Sequence, residues 1–285
     1  MTSQRTTIGA RARDQELLDD VLRTFENAED PRLRELLSSA LRHLHAFVAE
    51  VGLTTAEWQA GIDFLTAVGR ACTDAQQEFI LLSDTLGLSS ATEIASANLV
   101  QDATENTVLG PFYVAGAPLR AYGDSVLDDP DDGPRAVVRG RVTDLDGNSI
   151  ASATLDVWQN ASNRLYAVQD PSQTLTNLRG RFLTRDDGSF ELRTIRPVPY
   201  PIPDDGPVGR MLAAAGRHPW RPAHIHFMVS APRYQTLVTH VFDSGSDYLD
   251  SDAVFGVRDS LVVDFEPQPE GGELLARFDI VLQQR

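Results

Sequence analysis

The hydrophobic period of this chain changes once, near Thr104, and that change limits the folds open to it. From about Gln15 to Leu99 apolar residues recur at three- and four-residue spacing, as in Leu33, Leu36, Leu37, Leu41, Leu44 and Val48. Side chains at that spacing share one helix face, so this half predicts amphipathic helices. Asp30-Pro31 sets a capping residue before a proline at the first helical position, and Thr54…Glu57, Thr73…Gln76 and Ser90…Glu93 have capping-box spacing. Gly52 and Gly87 read as stops. About five helices follow from these signals, the longest starting near Asp30. Their apolar stripes need cover from each other or from a second chain, so the region reads as a dimerisation subdomain.

After Thr104 short runs rich in Val, Thr and Phe are broken by Asp-Gly turns at Asp146-Gly147 and Asp187-Gly188. Candidate strands are Ala136–Thr143, Ala153–Gln159, Arg181–Thr184, Ser189–Thr194, Ala223–Val229, Leu237–Phe242, Ser260–Phe265 and Arg277–Leu282. That set suits an antiparallel β-sandwich. The chain is therefore expected to be α+β, with a helical domain over residues 1–103 and a catalytic sandwich over 104–285. Segment 193–222 holds Pro197, Pro199, Pro201, Pro203, Pro207, Pro219 and Pro222, too many for a ladder. It is expected as a long loop over one end of the sandwich, with helices largely confined to the first half. The acidic run Asp128-Asp129-Pro130-Asp131-Asp132 reads as a solvated turn rather than a metal site.

A net charge of −16 and a pI near 4.7 argue against binding nucleic acid or anionic lipid, because no basic stripe offsets the repulsion. The single cysteine, Cys72, excludes an intramolecular disulfide framework and a Cys-rich zinc or iron–sulfur site, and fits a reducing compartment. It is expected as a buried helix residue. No stretch approaches the roughly 18 apolar residues of a membrane span, and no apolar run follows the early arginines, so a cytoplasmic protein without membrane insertion is expected.

The segment Arg221-Pro222-Ala223-His224-Ile225-His226-Phe227 carries the chemistry. Residues two apart on a strand point to one face, so His224 and His226 can converge on a metal while Ile225 and Phe227 enter the core. Taken alone, the pair leaves metal binding and an ordinary polar strand face both open. Ser230 and Ala231 stand where a cupin would place its carboxylate, so a ferrous two-His-one-carboxylate triad has no local third member. Tyr166 and Tyr200 lie near loops and are the other source of hard anionic oxygen.

Four ordered motifs add to this reading: Asp156-Val157-Trp158-Gln159-Asn160 leading to Tyr166; Arg179-Gly180-Arg181-Phe182; Pro197 through Pro207 around Tyr200; and His218 through His226. In order and spacing they resemble the intradiol ring-cleavage dioxygenases, over about residues 105–265, and the helical first part suits the catechol and hydroxyquinol branches. The resemblance implies Tyr166, Tyr200, His224 and His226 as ligands of one Fe(III) per subunit. Phenolates are hard donors that favour ferric over ferrous iron, and the metal in turn lowers the tyrosine pKa. It implies a small aromatic diol and O2 as partners, with ring opening between adjacent hydroxyls to a muconate. The resemblance further implies that Tyr200 would be the ligand displaced by substrate and that Arg221, otherwise a surface salt-bridge residue, would stabilise the carbanion-like ring. A homodimer is implied, with lipid at the helical interface in some members.

By the same resemblance the substrate pocket is walled by Leu81 and Asp84, by Val108-Leu109-Gly110-Pro111-Phe112, by Ile202-Pro203, by Val254 and by Arg221. The Val108–Phe112 and Tyr200–Pro203 runs lean toward the hydroxyquinol branch, with catechol or chlorocatechol as the alternative. Asp84 can accept a hydrogen bond from a third ring hydroxyl, or else engage local backbone near the end of its helix. His240 stands where a Gln is expected. It reads as a donor near the metal or a packed polar residue, outside the ligand set. Two readings of other classes remain: a metal-free sandwich binding module, separated by iron content, and a zinc hydrolase, disfavoured because tyrosinates suit a harder ion.

Overall fold

The computed structural model describes residues 2–73, 77–96, 102–269 and 271–285. Two expectations fall outside these residues: Gln76 of the Thr73…Gln76 box, and the end of the helical stretch at 97–101.

The first half folds as α1 (Thr2–Thr24), α2 (Pro31–Val51), α3 (Thr55–Ala71), α4 (Glu78–Thr85) and α5 (Leu88–Ser96). Asp30 caps α2 by accepting from the Arg32 N–H at 2.8 Å, and Gly52 ends it at φ 64°, donating to the Val48 carbonyl. The Thr54–Glu57 box is reciprocal: Thr54 N–H donates to Glu57 Oε2 at 2.9 Å, and Glu57 N–H to Thr54 Oγ1 at 3.3 Å. Gly87, at φ 73°, separates α4 from α5.

Three expectations change. The longest helix is α1, with 23 residues against 21 in α2, because the helix begins at Thr2 rather than near Gln15. Ser90 is no N-cap: α5 has already started at Leu88, and the Ser90 hydroxyl donates instead to the carbonyls of Phe255 at 3.0 Å and Val254 at 3.3 Å. Cys72 is half-buried just past the end of α3.

The chain forms two compact units, residues 1–66 and 67–285. In the first, α2 buries no residue, and Leu33, Leu36, Leu44, Phe47 and Val48 on it are exposed, as are Trp58, Ile62 and Leu65 of α3. Among the described residues no helix is long and apolar enough to cross a membrane.

The second unit holds two five-stranded sheets and a two-stranded ladder. The strands are β1 (Arg135–Asp144), β2 (Thr154–Trp158), β3 (Arg179–Leu183), β4 (Ser189–Ile195), β5 (Tyr200–Pro201), β6 (Trp220–Arg221), β7 (His224–Ser230), β8 (Leu237–Asp243), β9 (Val262–Val263), β10 (Glu266–Pro267), β11 (Leu274–Arg277) and β12 (Ile280–Leu282). One sheet runs β3-β2-β7-β8-β9; in the other β1 is central, flanked by β4 on one side and by β11 and β12 on the other, with β10 beyond β11. Alternate residues of the two sheets interleave: Leu155, Val157, Phe182, Ile225, Phe227 and Val241 face Val138, Val142, Phe190, Leu192 and Ile280 in one core. Each such side chain stabilises the fold by about 1.5–3 kcal/mol.

The sandwich is mixed rather than purely antiparallel. β1 pairs parallel with β11 and β12, and β8 with β9. Parallel neighbours need a crossover of a dozen or more residues, and the stretch 244–261 before β9 supplies one. The expected last strand splits at Phe278-Asp279, where the chain crosses Gly140 of β1 so closely that a Cβ there would meet the Phe278 carbonyl oxygen. Asp279 Oδ1 takes up the Arg141 N–H at 2.9 Å across the break.

Segment 193–222 is not a plain loop. It contains α6 (Pro207–Ala214), and β5 pairs antiparallel with β6, placing Tyr200 opposite Arg221. Pro207 presets the first helical turn, and Glu78, buried at the start of α4, caps α6 from outside by accepting from Val208 N–H at 3.0 Å. The acidic run is also more than a solvated turn: Asp128 pairs with Arg120 at 2.9 Å, Asp129 accepts from Thr174, and Asp131 from the Ser162 N–H.

Candidate metal centre

β7 alternates as its sequence requires. Ile225, Phe227 and Val229 enter the sandwich core, which turns His224 and His226 to the other face. His226 lies in register between Trp158 on β2 and His240 on β8; the Trp158 ring stacks on its imidazole at 4.6 Å and 12°. A tight turn after β2, closed by Ala161 N–H to Leu165 O at 2.9 Å, brings Tyr166 back over this face, and Phe112 stacks on its ring at 4.6 Å. Tyr200 arrives from the β5–β6 ladder, its ring 5.3 Å from that of Tyr166 and nearly perpendicular to it. The four expected ligands thus converge, each no more than 2% exposed.

The contacts are short and all-polar at the centre. His224 Nε2 lies 3.2 Å from His226 Nε2, which is 3.1 Å from Tyr166 Oη. His224 Nδ1 faces the Pro222 carbonyl at 2.7 Å, and a carbonyl only accepts, so Nδ1 carries the proton and Nε2 presents a lone pair. Burial pushes the pKa of His224 and of His226 well below the usual imidazole value, keeping both neutral as ligation requires. Burial raises the Tyr166 phenol well above its usual range, with Tyr200 adding to the rise and Arg221 and Arg179 opposing it. Two neutral imidazoles and two phenols gathered in one cluster form a nitrogen and oxygen donor set for a metal ion, and the His224–His226 and His226–Tyr166 separations, 3.2 and 3.1 Å, match donors sharing one ion.

Arg221 Nη1 reaches Tyr200 Oη at 3.4 Å and His224 Nε2 at 3.3 Å. The rest of its guanidinium is held by Asp252, with Nε to Oδ1 at 3.0 Å and Nη2 to Oδ2 at 3.2 Å, both side chains 2% exposed. Burial works against the charge on Arg221, but the Asp252 carboxylate together with Tyr200 and Tyr166 outweighs it, and the guanidinium stays protonated. The same carboxylate accepts from Val254 N–H at 3.2 Å and Gly256 N–H at 2.9 Å. Sequence reasoning missed Asp252. Its spacing to Val254 and Gly256 signals a side-chain-to-backbone turn, but nothing local announces the ion pair thirty-one residues away.

Of the expected pocket residues, Leu81, Asp84, Val108, Phe112, Ile202 and Val254 are buried, Gly110, Pro111 and Pro203 half-buried, and Leu109 exposed. Gly110, at φ 74°, passes so close that a Cβ would sit 3.3 Å from the His226 ring. The buried Arg179 holds this loop through Nη2 to the Phe112 carbonyl at 2.8 Å, which accounts for an arginine in the Arg179–Phe182 motif. Asn160 Nδ2 donates to Val198 O at 3.3 Å, tying the end of β2 to the Tyr200 segment. Burial raises the Asp84 carboxyl pKa, partly offset by Ser89 and by the charge of Arg221.

Known proteins match this architecture along nearly the whole chain. Residues 30–104 match the family model for the catechol dioxygenase N terminus, and residues 108–284 the dioxygenase model. A 6-chlorohydroxyquinol 1,2-dioxygenase of Cupriavidus pinatubonensis is 50% identical, covering 92% of this chain and 94% of its own. A hydroxyquinol 1,2-dioxygenase of Nocardioides simplex is 47% identical over 95% of this chain and 96% of its own. The crystal structure of hydroxyquinol 1,2-dioxygenase from Pseudomonas putida superposes with a TM-score of 0.90 at 47% identity, covering 96% of this chain and all of that one. The chain belongs to the intradiol ring-cleavage dioxygenase family.

Proposed function

We propose that this protein opens the ring of hydroxyquinol (benzene-1,2,4-triol) with O2 between its adjacent hydroxyls, giving 3-hydroxy-cis,cis-muconate and its keto form maleylacetate during aromatic degradation. The observation that carries the chemistry is the convergence of Tyr166, Tyr200, His224 and His226 in one buried cluster beside Arg221. These four would hold one Fe(III) per subunit, whose Lewis acidity binds the diol as a dianion and makes its ring electron-rich toward O2. The chain's own groups do the rest. Tyr200, on the short ladder, would as a tyrosinate take one of the two protons the incoming diol gives up, the other leaving to solvent, and Arg221 places a fixed positive charge where negative charge builds on the ring. Val108, Phe112, Ile202 and Val254 provide a dry apolar wall, with Leu81, Leu109, Gly110, Pro111 and Pro203 completing the expected lining. In it Asp84 receives the third hydroxyl, and an apolar residue there would disfavour that group. The relatives named for hydroxyquinol support this choice over catechol or chlorocatechols.

Residues 1–103 would form the helical dimerisation domain and 104–285 the catalytic domain of a cytoplasmic homodimer, with a lipid accommodated at the helical interface. The exposed apolar stripe of α2 and α3 supports the dimer. Sedimentation at micromolar concentration should give twice the chain mass, and a monomer would overturn that part.

Oxygen uptake with hydroxyquinol, 6-chlorohydroxyquinol, catechol and chlorocatechols, alongside iron analysis, tests the function. Hydroxyquinol should give the highest kcat/KM in a red-brown protein whose colour dithionite bleaches. A colourless active enzyme would remove the ferric tyrosinate site, and a higher kcat/KM for catechol would remove the assignment of substrate.

A further inference from the structure

A third imidazole lies against the two that face the tyrosines. His240 is opposite His226 in the β7–β8 register, its ring 4.2 Å from that of His226 and 4.7 Å from that of His224. The three ligand-capable nitrogens lie within 4.8 Å of one another. Proximity alone would make His240 another nitrogen ligand. Its hydrogen bonding says otherwise.

His240 Nδ1 meets the hydroxyl of Thr107 at 2.5 Å. Thr107 is 1% exposed, and among the described residues its hydroxyl has no other hydrogen-bond partner; its N–H goes to Val238 O at 2.8 Å. A buried hydroxyl hydrogen needs an acceptor, and Nδ1 is the one within reach. Thr107 therefore donates, Nδ1 is the bare acceptor, and the proton of the neutral ring is on Nε2. This is the reverse of His224, where the Pro222 carbonyl fixes the proton on Nδ1 and leaves Nε2 free to ligate. One histidine of the cluster is set to coordinate, the other to donate. His240 Nε2 is fully buried and, among the described residues, has no hydrogen-bond partner within the protein.

We propose that His240 is a hydrogen-bond donor to an oxygen of the bound diol, not a third nitrogen ligand, and that Thr107 sets the tautomer that makes it so. The inference rests on the ferric diol site proposed above. It adds a contact that neither the tyrosines nor Arg221 supplies: a neutral N–H from β8, on a ring packed against His224 and His226. Thr107 immediately precedes Val108, so one residue links the tautomer to the pocket wall.

Iron content, visible spectrum and anaerobic titration with 4-nitrocatechol are measured for the native protein, His240→Leu, His240→Gln and Thr107→Val, with circular dichroism as the folding check. His240→Leu should keep its iron and resting charge-transfer band but bind nitrocatechol about tenfold more weakly, the scale of one lost hydrogen bond to an anion. His240→Gln, which restores an N–H, should recover most of that affinity. Thr107→Val, which frees the tautomer, should weaken binding with iron retained. Loss of iron from folded His240→Leu and His240→Gln together would make His240 a ligand and overturn the proposal. Unchanged nitrocatechol affinity in folded, iron-loaded His240→Leu would overturn it as well, while leaving the metal site standing. A native protein that takes up no ferric iron would overturn both this inference and the reading beneath it.

Discussion

Replacing Asp252 by alanine strips the Arg221 guanidinium of its counter-charge in a place where both side chains are 2% exposed. Breaking a buried ion pair by removing one partner costs about 3–5 kcal/mol, because the other charge is stranded in low dielectric. The N–H groups of Val254 and Gly256 lose their acceptor in the same change, but they share it with Arg221, so the costs do not add. For a unit the size of residues 67–285, each kcal/mol moves the melting temperature by about 2–4 °C, so Asp252→Ala should melt roughly 6–20 °C lower. Asp252→Asn keeps one oxygen for the backbone and should lose less.

Stability alone would describe a brace, and the geometry predicts more. With Nε and Nη2 held by Asp252, Nη1 is left to face Tyr200 Oη and His224 Nε2. Once that hold is lost the guanidinium turns, and the charge beside the ring moves. In folded protein below its melting range, Asp252→Asn should therefore lower kcat by about tenfold or more with a smaller change in KM, read by oxygen uptake on hydroxyquinol. A melting temperature within a degree of native for Asp252→Ala would refute the ion-pair reasoning. Native kcat in destabilised but folded Asp252→Asn would refute the positioning role.

Tyr200→Phe should lose most of the visible band and lower turnover for every diol alike, since metal electronics and proton removal are common to all; a loss confined to one substrate would contradict this. Asp84→Ala should spare catechol and reduce kcat/KM for hydroxyquinol by about 1–3 kcal/mol of transition-state binding, whereas equal damage to both would make Asp84 a helix residue only. In the iron-free protein His224, His226 and His240 are held neutral by burial, their folded pKa values depressed below the usual one near 6.5. Their contribution is thus complete above that pH and lost as pH falls and the unfolded chain takes up protons, by up to about 1.4 kcal/mol per pH unit per histidine. Thermal unfolding from pH 7 to 5 should show that decline, shallower in His240→Gln, and a flat profile would sink the argument.

What the sequence disclosed and what it hid separate by the range of the forces involved. The strand period turned His224 and His226 to one face because alternation is local, and Asp30, Gly52 and the Thr54–Glu57 pair act within one turn of their helices. The expected sandwich missed the parallel pairing of β11 and β12 on β1, a consequence of where a long crossover ends rather than of strand composition. The proline-rich segment misled for the same reason: α6 is short, has Gly206 at its N-cap and so no side-chain cap of its own, and takes its acceptor from Glu78 far away in sequence. Ser90 had a capping pattern and spends its hydroxyl on Val254 and Phe255 instead. The four side chains that converge were legible through ordered motifs; the groups packed around them, Asp252, Thr107 and the backbone partner of Arg179, were legible only in three dimensions.

Burial has opposite effects on the two kinds of donor in the centre, and the arginines offset part of the conflict. Dryness keeps His224 and His226 neutral, which suits ligation, yet it also holds the Tyr166 phenol protonated, which does not. Arg221 and Arg179 both act to lower that phenol, and only one of them has a bidentate carboxylate partner. Arg179 is 3% exposed and hydrogen-bonded to the Phe112 carbonyl, and burial lowers its own pKa while Tyr166 and Asp156 oppose the fall. The residue that fixes the Val108–Phe112 loop is thereby also one that opposes the rise in the Tyr166 phenol. A lysine there would keep the charge but not the planar, weakly hydrated fork that reaches the Phe112 carbonyl, so the two tasks require arginine together more than either does alone.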